Sequence, residues 1–168
     1  MEIKKLVNNA LNFSINRFIE IFGIGIVIIA SLLLISLISF SPNDPNFIFP
    51  AGTQINNLLG YRGSFSADFF LQSFGLISLL IPFSSIFTGI NIFLSKKISL
   101  SIESLFFTIL YLLSGSLFFT TYYPNTFELY INGNGGFIGK YLETTFLYSL
   151  ISFNILVSYY LFILLILS

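Results

Sequence analysis

Residues 21–40 read IFGIGIVIIASLLLISLISF, and no charged side chain occurs between Glu20 and Asp44. Twenty residues at about 1.5 Å each cover about 30 Å as a helix, the thickness of a bilayer's hydrocarbon core. A run this long and this apolar reads as a membrane span. Composition extends that reading to the rest of the chain, because the 168 residues are 55% hydrophobic and only 8% charged. Soluble domains carry about 25% charged residues, so this chain lacks the polar atoms to clothe a water-facing surface. Its mean hydropathy is +0.92.

Working outward, the charges serve as a ruler. A second uncharged stretch lies between Asp68 and Lys96, longer than a span needs, with Pro82 near its middle. A tilt or a kink at Pro82 would absorb the excess. Two further apolar runs complete the set, giving spans at about 18–40, 69–95, 103–121 and 143–167 within one membrane domain, 18–168. The expected fold is all-α, four transmembrane helices arranged as two hairpins. The first run is too long for a signal peptide, and no small-residue cleavage site follows Phe40. It reads as a signal anchor that stays. Residues 1–17 place Leu6, Ala10, Phe13 and Arg17 at near-helical spacing. They form either a short amphipathic stretch on the membrane surface or a plain polar tail.

Lys4, Lys5, Arg17, Lys96 and Lys97 flank one set of span ends, and only Arg62 and Lys140 the other. Five against two places both termini in the cytoplasm. The Lys96-Lys97 turn is so short that spans two and three must be antiparallel neighbours.

The absence of Cys and His removes disulfides, thiolate chemistry, most zinc sites and imidazole proton relays. Seven basic against seven acidic residues leave no basic field for nucleic acid. No cofactor or metal site is expected. Asn134-Gly135-Gly136-Phe137-Ile138-Gly139-Lys140-Tyr141 mimics a phosphate-binding loop. It has Asn where the first Gly is needed and Tyr where Ser or Thr should follow Lys, and no strand precedes it. A turn leading into the fourth span is the better reading. Ser41-Pro42-Asn43-Asp44-Pro45-Asn46 is likewise a turn. Asp68, Glu103 and Glu143 sit at expected span starts, with Glu20 just before one, where helix dipoles favour carboxylates. Gln72, Asn91 and Asn154 lie inside spans and are expected to bond between helices. Ser85 with Gly89, and Ser114-Gly115-Ser116, let helices approach closely.

Gly60-Tyr61-Arg62-Gly63 precedes the second span and Gly136-Phe137-Ile138-Gly139 the fourth. Aligning Gly63 with Gly139 also pairs Phe70 with Phe146, Leu71 with Leu147 and Ser73 with Ser149. Such an echo sets up a parallel repeat of two in-out-in hairpins.

The turn at 41–47, the segment from Asn56 through Gly60, Gly63, Ala67-Asp68 and Gln72 to Phe74-Gly75, and Gly135-Gly136-Phe137-Ile138-Gly139 together resemble a known module. It is the N-terminal four-helix membrane domain of the FtsK/SpoIIIE DNA translocases. The resemblance covers residues 18–167 and is most specific over 41–75. Glu143-Thr144 departs from the family's Ala-Asp, and Leu150-Ile151 from its Phe-Gly. It implies structural roles for Asp44, Pro45, Gly60, Gly63, Asp68, Gly75, Gly136 and Gly139.

The resemblance further implies a non-enzymatic anchor in the bacterial inner membrane at the division septum, serving cell division and chromosome segregation. Its partners would be the lipid bilayer and other divisome membrane proteins. DNA and ATP would be reached only through a motor domain, hexameric in the full-length protein and outside these residues. The chain is then either an excised membrane domain or an anchor encoded alone. Two rivals stand beside this reading. A small transporter or channel subunit should show polar groups converging at mid-membrane, and the spans offer only Gln72, Asn91 and Asn154. A membrane enzyme would need His, Cys or clustered acids.

Overall fold

The computed structural model describes residues 2–45, 54–124 and 132–167. Asn46 and Phe47 of the quoted turn lie outside them. The described residues are all-helical, with no strand: α1 (Glu2–Ile38), α2 (Gly60–Phe74), a 3₁₀ turn (Gly75–Leu79), α3 (Leu80–Ser95), α4 (Ser99–Tyr122), α5 (Gly136–Glu143), α6 (Phe146–Phe153) and α7 (Ile155–Leu167). Three stretches are long and apolar enough to cross a bilayer, Lys4–Ile38, Gly60–Ser95 and Ser99–Tyr122, and α7 is a shorter apolar helix. Three long apolar helices and a shorter one fit a four-span membrane region.

α1 and α3 lie directly against each other. A Cβ added to Gly23 would stand 2.7 Å from the Gly89 carbonyl oxygen, and one added to Gly89 would stand 2.7 Å from that of Gly23. Only hydrogen at both positions permits backbones this close. Gly89 was a small residue expected to seat a helix, and its partner is Gly23. α3 and α4 run antiparallel through the Lys96-Lys97 turn, where Lys96 adopts a left-handed conformation (φ 58°) and its N–H donates to Ile92 O at 2.8 Å. Hydroxyls lace the pair together, Ser84 Oγ with Tyr111 Oη at 2.8 Å and Thr88 Oγ1 with Ser104 Oγ at 2.5 Å. At the base, Glu20 pairs with Arg17 on its own helix and with Lys96 at 3.1 Å.

The second expected span is interrupted, and not at Pro82. Pro82 sits in the first turn of α3, where a missing N–H costs nothing. The break is at Gly75, whose φ of 72° ends α2. α2 begins beside the α1 end, where Ser36 Oγ donates to Gly63 O at 2.5 Å. It finishes beside α4, where Ser116 Oγ donates to Phe74 O at 2.9 Å. Ser36 lies about 24 Å along α1 from Glu20, and Ser116 about 27 Å along α4 from Ile98. The two contacts therefore stand at one level. α2 bridges the tops of α1 and α4, and the descending leg runs Gly75–Ser95.

The fourth expected span is also divided. α5 ends at Glu143, α6 follows, and Asn154 takes an extended conformation (φ −149°, ψ 93°). Asn154 Oδ1 then accepts the Val157 N–H at 3.2 Å, which caps α7. The expected interhelical role of Asn154 is thus replaced by a local one: an Asn side chain competes well for free amides at a helix start. α7 runs antiparallel to α4, with Ser158 Oγ beside Tyr122 Oη and Ile166 against the core of Ile77, Ile81, Tyr111 and Leu112.

Candidate functional site

Opposite the Lys96 turn, the ends of α1, α2, α4 and α5 are tied into a cap by buried polar groups. Its first half closes over α1. The Asp44 carboxylate, 2% exposed, accepts the backbone N–H of Asn56 through Oδ1 and of Asn57 through Oδ2, each at 2.8 Å. Asn57 Nδ2 in turn donates to Ser36 O at 2.9 Å and Ser39 O at 3.2 Å. The last carbonyls of a helix have no partner of their own, so Asn57 does for the α1 terminus what the next turn would have done. Leu58 N–H donates to Ser39 Oγ at 3.2 Å, and Ser64 Oγ donates to Pro45 O at 2.8 Å. Gly63 must lack a side chain, because a Cβ there would lie 2.1 Å from Asn57 Oδ1.

The second half joins α2, α4 and α5. Leu76 N–H donates to Asn134 O at 2.9 Å, and Asn134 Nδ2 donates to Tyr123 O. Asn132 N–H donates to Gln72 Oε1 at 3.3 Å, and Asn132 Nδ2 to Gln72 O at 3.4 Å. Gln72 therefore binds the connection before α5, not a neighbouring span. A Cβ on Gly75 would fall 1.9 Å from Asn134 O, and one on Gly136 2.5 Å from Gly75 N. One on Gly139 would meet Thr120 Oγ1 at 2.1 Å and Ser116 O at 2.5 Å. Gly75 and Gly136 thus bring the end of α2 and the start of α5 to backbone contact, and Gly139 brings α5 against α4.

The motif glycines open their helices alike. Gly60 (φ 64°) and Gly136 (φ 66°) are the first residues of α2 and α5. Each donates its N–H three residues back, Gly60 to Asn57 O at 2.9 Å and Gly136 to Gly133 O at 3.2 Å. The echo seen in sequence is a repeated helix-opening turn. It ends at Glu143, where α5 stops while α2 continues to Phe74.

The eight motif residues are not one cluster. Asp44, Pro45, Gly60 and Gly63 belong to the α1 half of the cap, and Gly75, Gly136 and Gly139 to the α4 half. Asp68 lies along α2 between them, 5% exposed. The helix-start reading of the acids is corrected by the observed boundaries. Asp68 is midway along α2, Glu143 is the last residue of α5, and Glu20 is inside α1. Asn91 is exposed on α3 and its carbonyl accepts the Ser95 hydroxyl at 2.6 Å.

A family model described as the 4TM region of DNA translocase FtsK/SpoIIIE matches residues 16–168. The chain belongs to this family. Relatives named DNA translocase FtsK are 32% identical over 102 residues in Rickettsia bellii (strain RML369-C) and 34% identical over 89 residues in Rickettsia typhi (strain ATCC VR-144 / Wilmington). These alignments cover 57% and 53% of this chain but only 13% and 12% of the relatives. In Rhizobium meliloti (strain 1021) a DNA translocase FtsK is 38% identical over 58 residues, 33% of this chain and 7% of the relative. No solved structure matches the chain. The residues matched to the FtsK/SpoIIIE 4TM region include both halves of the cap.

Proposed function

We propose that this FtsK/SpoIIIE 4TM region is the membrane anchor and septum-targeting unit of a bacterial DNA translocase, sitting in the inner membrane with both ends cytoplasmic. The observation that carries the reading is the cap. Its polar residues are consumed in fastening helix ends to one another, through Asp44, Asn57, Gln72 and Asn134. A rigid platform of that kind suits a part that holds a position. Lysines at the α3–α4 turn, with Arg17 and Lys96 around Glu20, favour that end facing the cytoplasm. DNA and ATP are engaged by a motor domain in a hexameric full-length protein, and other divisome membrane proteins meet this region from within the bilayer or beyond the cap.

The experiment is localisation of a fluorescent fusion of residues 1–168 in dividing cells. A band at midcell is expected. Uniform membrane fluorescence, with the fusion intact and membrane-bound, would remove septum targeting from this region and leave only the anchor.

A further inference from the structure

We propose that the groove between α1 and α2 binds an anionic phospholipid, its phosphate at Arg62 and one acyl chain along Ile29, Leu32 and Phe70. The groove encloses about 490 Å³ and is lined mainly by apolar side chains of α1 and α2, with Ser66 and Arg62 at the cap end. Two other apolar grooves, between α4 and α6–α7 and between the 3₁₀ turn, α4 and α7, have no charged side chain in their walls. Of these three grooves among the described residues, the α1–α2 groove joins hydrocarbon to a cation.

Depth gives the occupant. Gly63, next to Arg62, is hydrogen-bonded to Ser36, about 24 Å along α1 from the Glu20–Lys96 pair. That is close to the far boundary of a hydrocarbon core about 30 Å thick. Ile29 lies seven residues deeper, about 10 Å inside that boundary. Ile29 and Leu32 are exposed on the outer face of α1, so the groove opens sideways to lipid. A molecule entering there presents chains along α1 and a headgroup beside Arg62.

Charge complementarity makes the headgroup anionic. The ion pairs between described residues are those of Glu20 with Arg17 and Lys96, and Arg62 takes part in neither. The Arg62 guanidinium is exposed in the first turn of α2, so its side chain and the positive helix end act on the same ligand. A cation at headgroup level attracts a phosphate by its charge, and a helix N-terminus favours the same charge. The inference rests on the chain being a membrane domain and not on its septal role.

The chain has no Trp, so Ile29→Trp supplies a single fluorophore at the groove mouth. The 168-residue chain carrying it is reconstituted in phosphatidylcholine vesicles containing a minor fraction of phosphatidylglycerol, with bromine on the acyl chains of one lipid or the other. Quenching by brominated phosphatidylglycerol should exceed its mole fraction by about fivefold, the factor one cation near an anionic surface supplies. Arg62→Gln should bring it to the mole fraction, and Arg62→Lys should keep most of the excess. Phe107→Trp, on the exposed side of α4, should report the mole fraction throughout. Equal quenching by both lipids at Ile29→Trp overturns the proposal, as does an excess that survives Arg62→Gln. Loss of the excess in Arg62→Lys as well as Arg62→Gln also overturns it, because charge would not be the cause.

Discussion

The residue that most rewards a close look is Asp44. In sequence it is one acid in a Pro/Asn turn, and a turn is all the local chemistry implies. In the structure both carboxylate oxygens are spent on consecutive backbone amides, Asn56 and Asn57, some twelve residues along the chain. No spacing rule reaches that partner, because it depends on how the connection after α1 folds back. Hydrogen bonds to an ionised, buried acceptor are about twice as strong as neutral ones. Removing the acceptor also leaves the buried Asn57 amide and the partly buried Asn56 amide unsatisfied, at about 1–3 kcal/mol for a fully buried one. Asp44→Ala should therefore lower the stability of the detergent-solubilised chain by about 2–4 kcal/mol in denaturant titration. Asp44→Asn keeps one accepting oxygen but turns an NH₂ toward the other amide, so it should recover less than half of that loss. A change under about 0.5 kcal/mol for either variant, the range of an uncommitted surface site, would show that the connection is held by other contacts. Asn57 was legible only as a motif letter. Its work on the α1 carbonyls emerges once Ser36 and Ser39 are seen to end that helix.

At the scale of elements, long apolar runs declared themselves and their interruptions did not. Ile21–Phe40 reads as a span because hydropathy is additive and local. The ends of α2 and α6 depend on single residues whose backbone angles hydropathy ignores: Gly75 at φ 72° and Asn154 at the start of α7. Pro82 drew attention because proline usually kinks a helix, yet in the first turn it has no amide to lose. Small residues were legible as packing, but not in pairs. Gly89 was coupled to Ser85 by spacing, whereas its structural counterpart is Gly23 on another helix. The two glycines of α1 give a clean test. Gly→Ala in a helix is worth about 1 kcal/mol in favour of Ala wherever space permits. Around Gly25 there is nothing within 4 Å, while at Gly23 a Cβ would meet Gly89 O at 2.7 Å and Phe93 N at 2.9 Å. Backbone atoms on a packed helix cannot step aside singly. Gly25→Ala should leave the thermal midpoint unchanged or raised, and Gly23→Ala should lower it, with overpacking costing about 1–3 kcal/mol. Equal behaviour of the two variants would mean that α1 and α3 are not in backbone contact.

For the whole molecule the governing question is which end faces the cytoplasm. The bundle is polarised along its axis. One end carries the Lys96-Lys97 turn and the Arg17–Glu20–Lys96 ion cluster, and the other the hydrogen-bonded cap, with Arg62 and Lys140 the basic residues there. Positive charge in short connections is retained on the cytoplasmic side during insertion, so the charge bias predicts that the lysine turn faces inward and the cap outward. The tyrosines agree with a membrane boundary near the cap. Tyr122, Tyr123 and Tyr159 gather at the ends of α4 and α7, with Tyr123 Oη and Tyr159 Oη 2.9 Å apart, as amphipathic rings do at an interface. Because the chain has no cysteine, single cysteines report sidedness without background. Ile98 beside the lysine turn and Tyr141 on α5 are both exposed, and replacing them leaves every basic residue in place. A membrane-impermeant maleimide should label Tyr141→Cys on spheroplasts and Ile98→Cys only after lysis. Labelling of Ile98→Cys on intact spheroplasts, with Tyr141→Cys protected, would invert the molecule. It would also carry the Arg62 groove into the inner leaflet, so this experiment fixes which leaflet supplies that lipid.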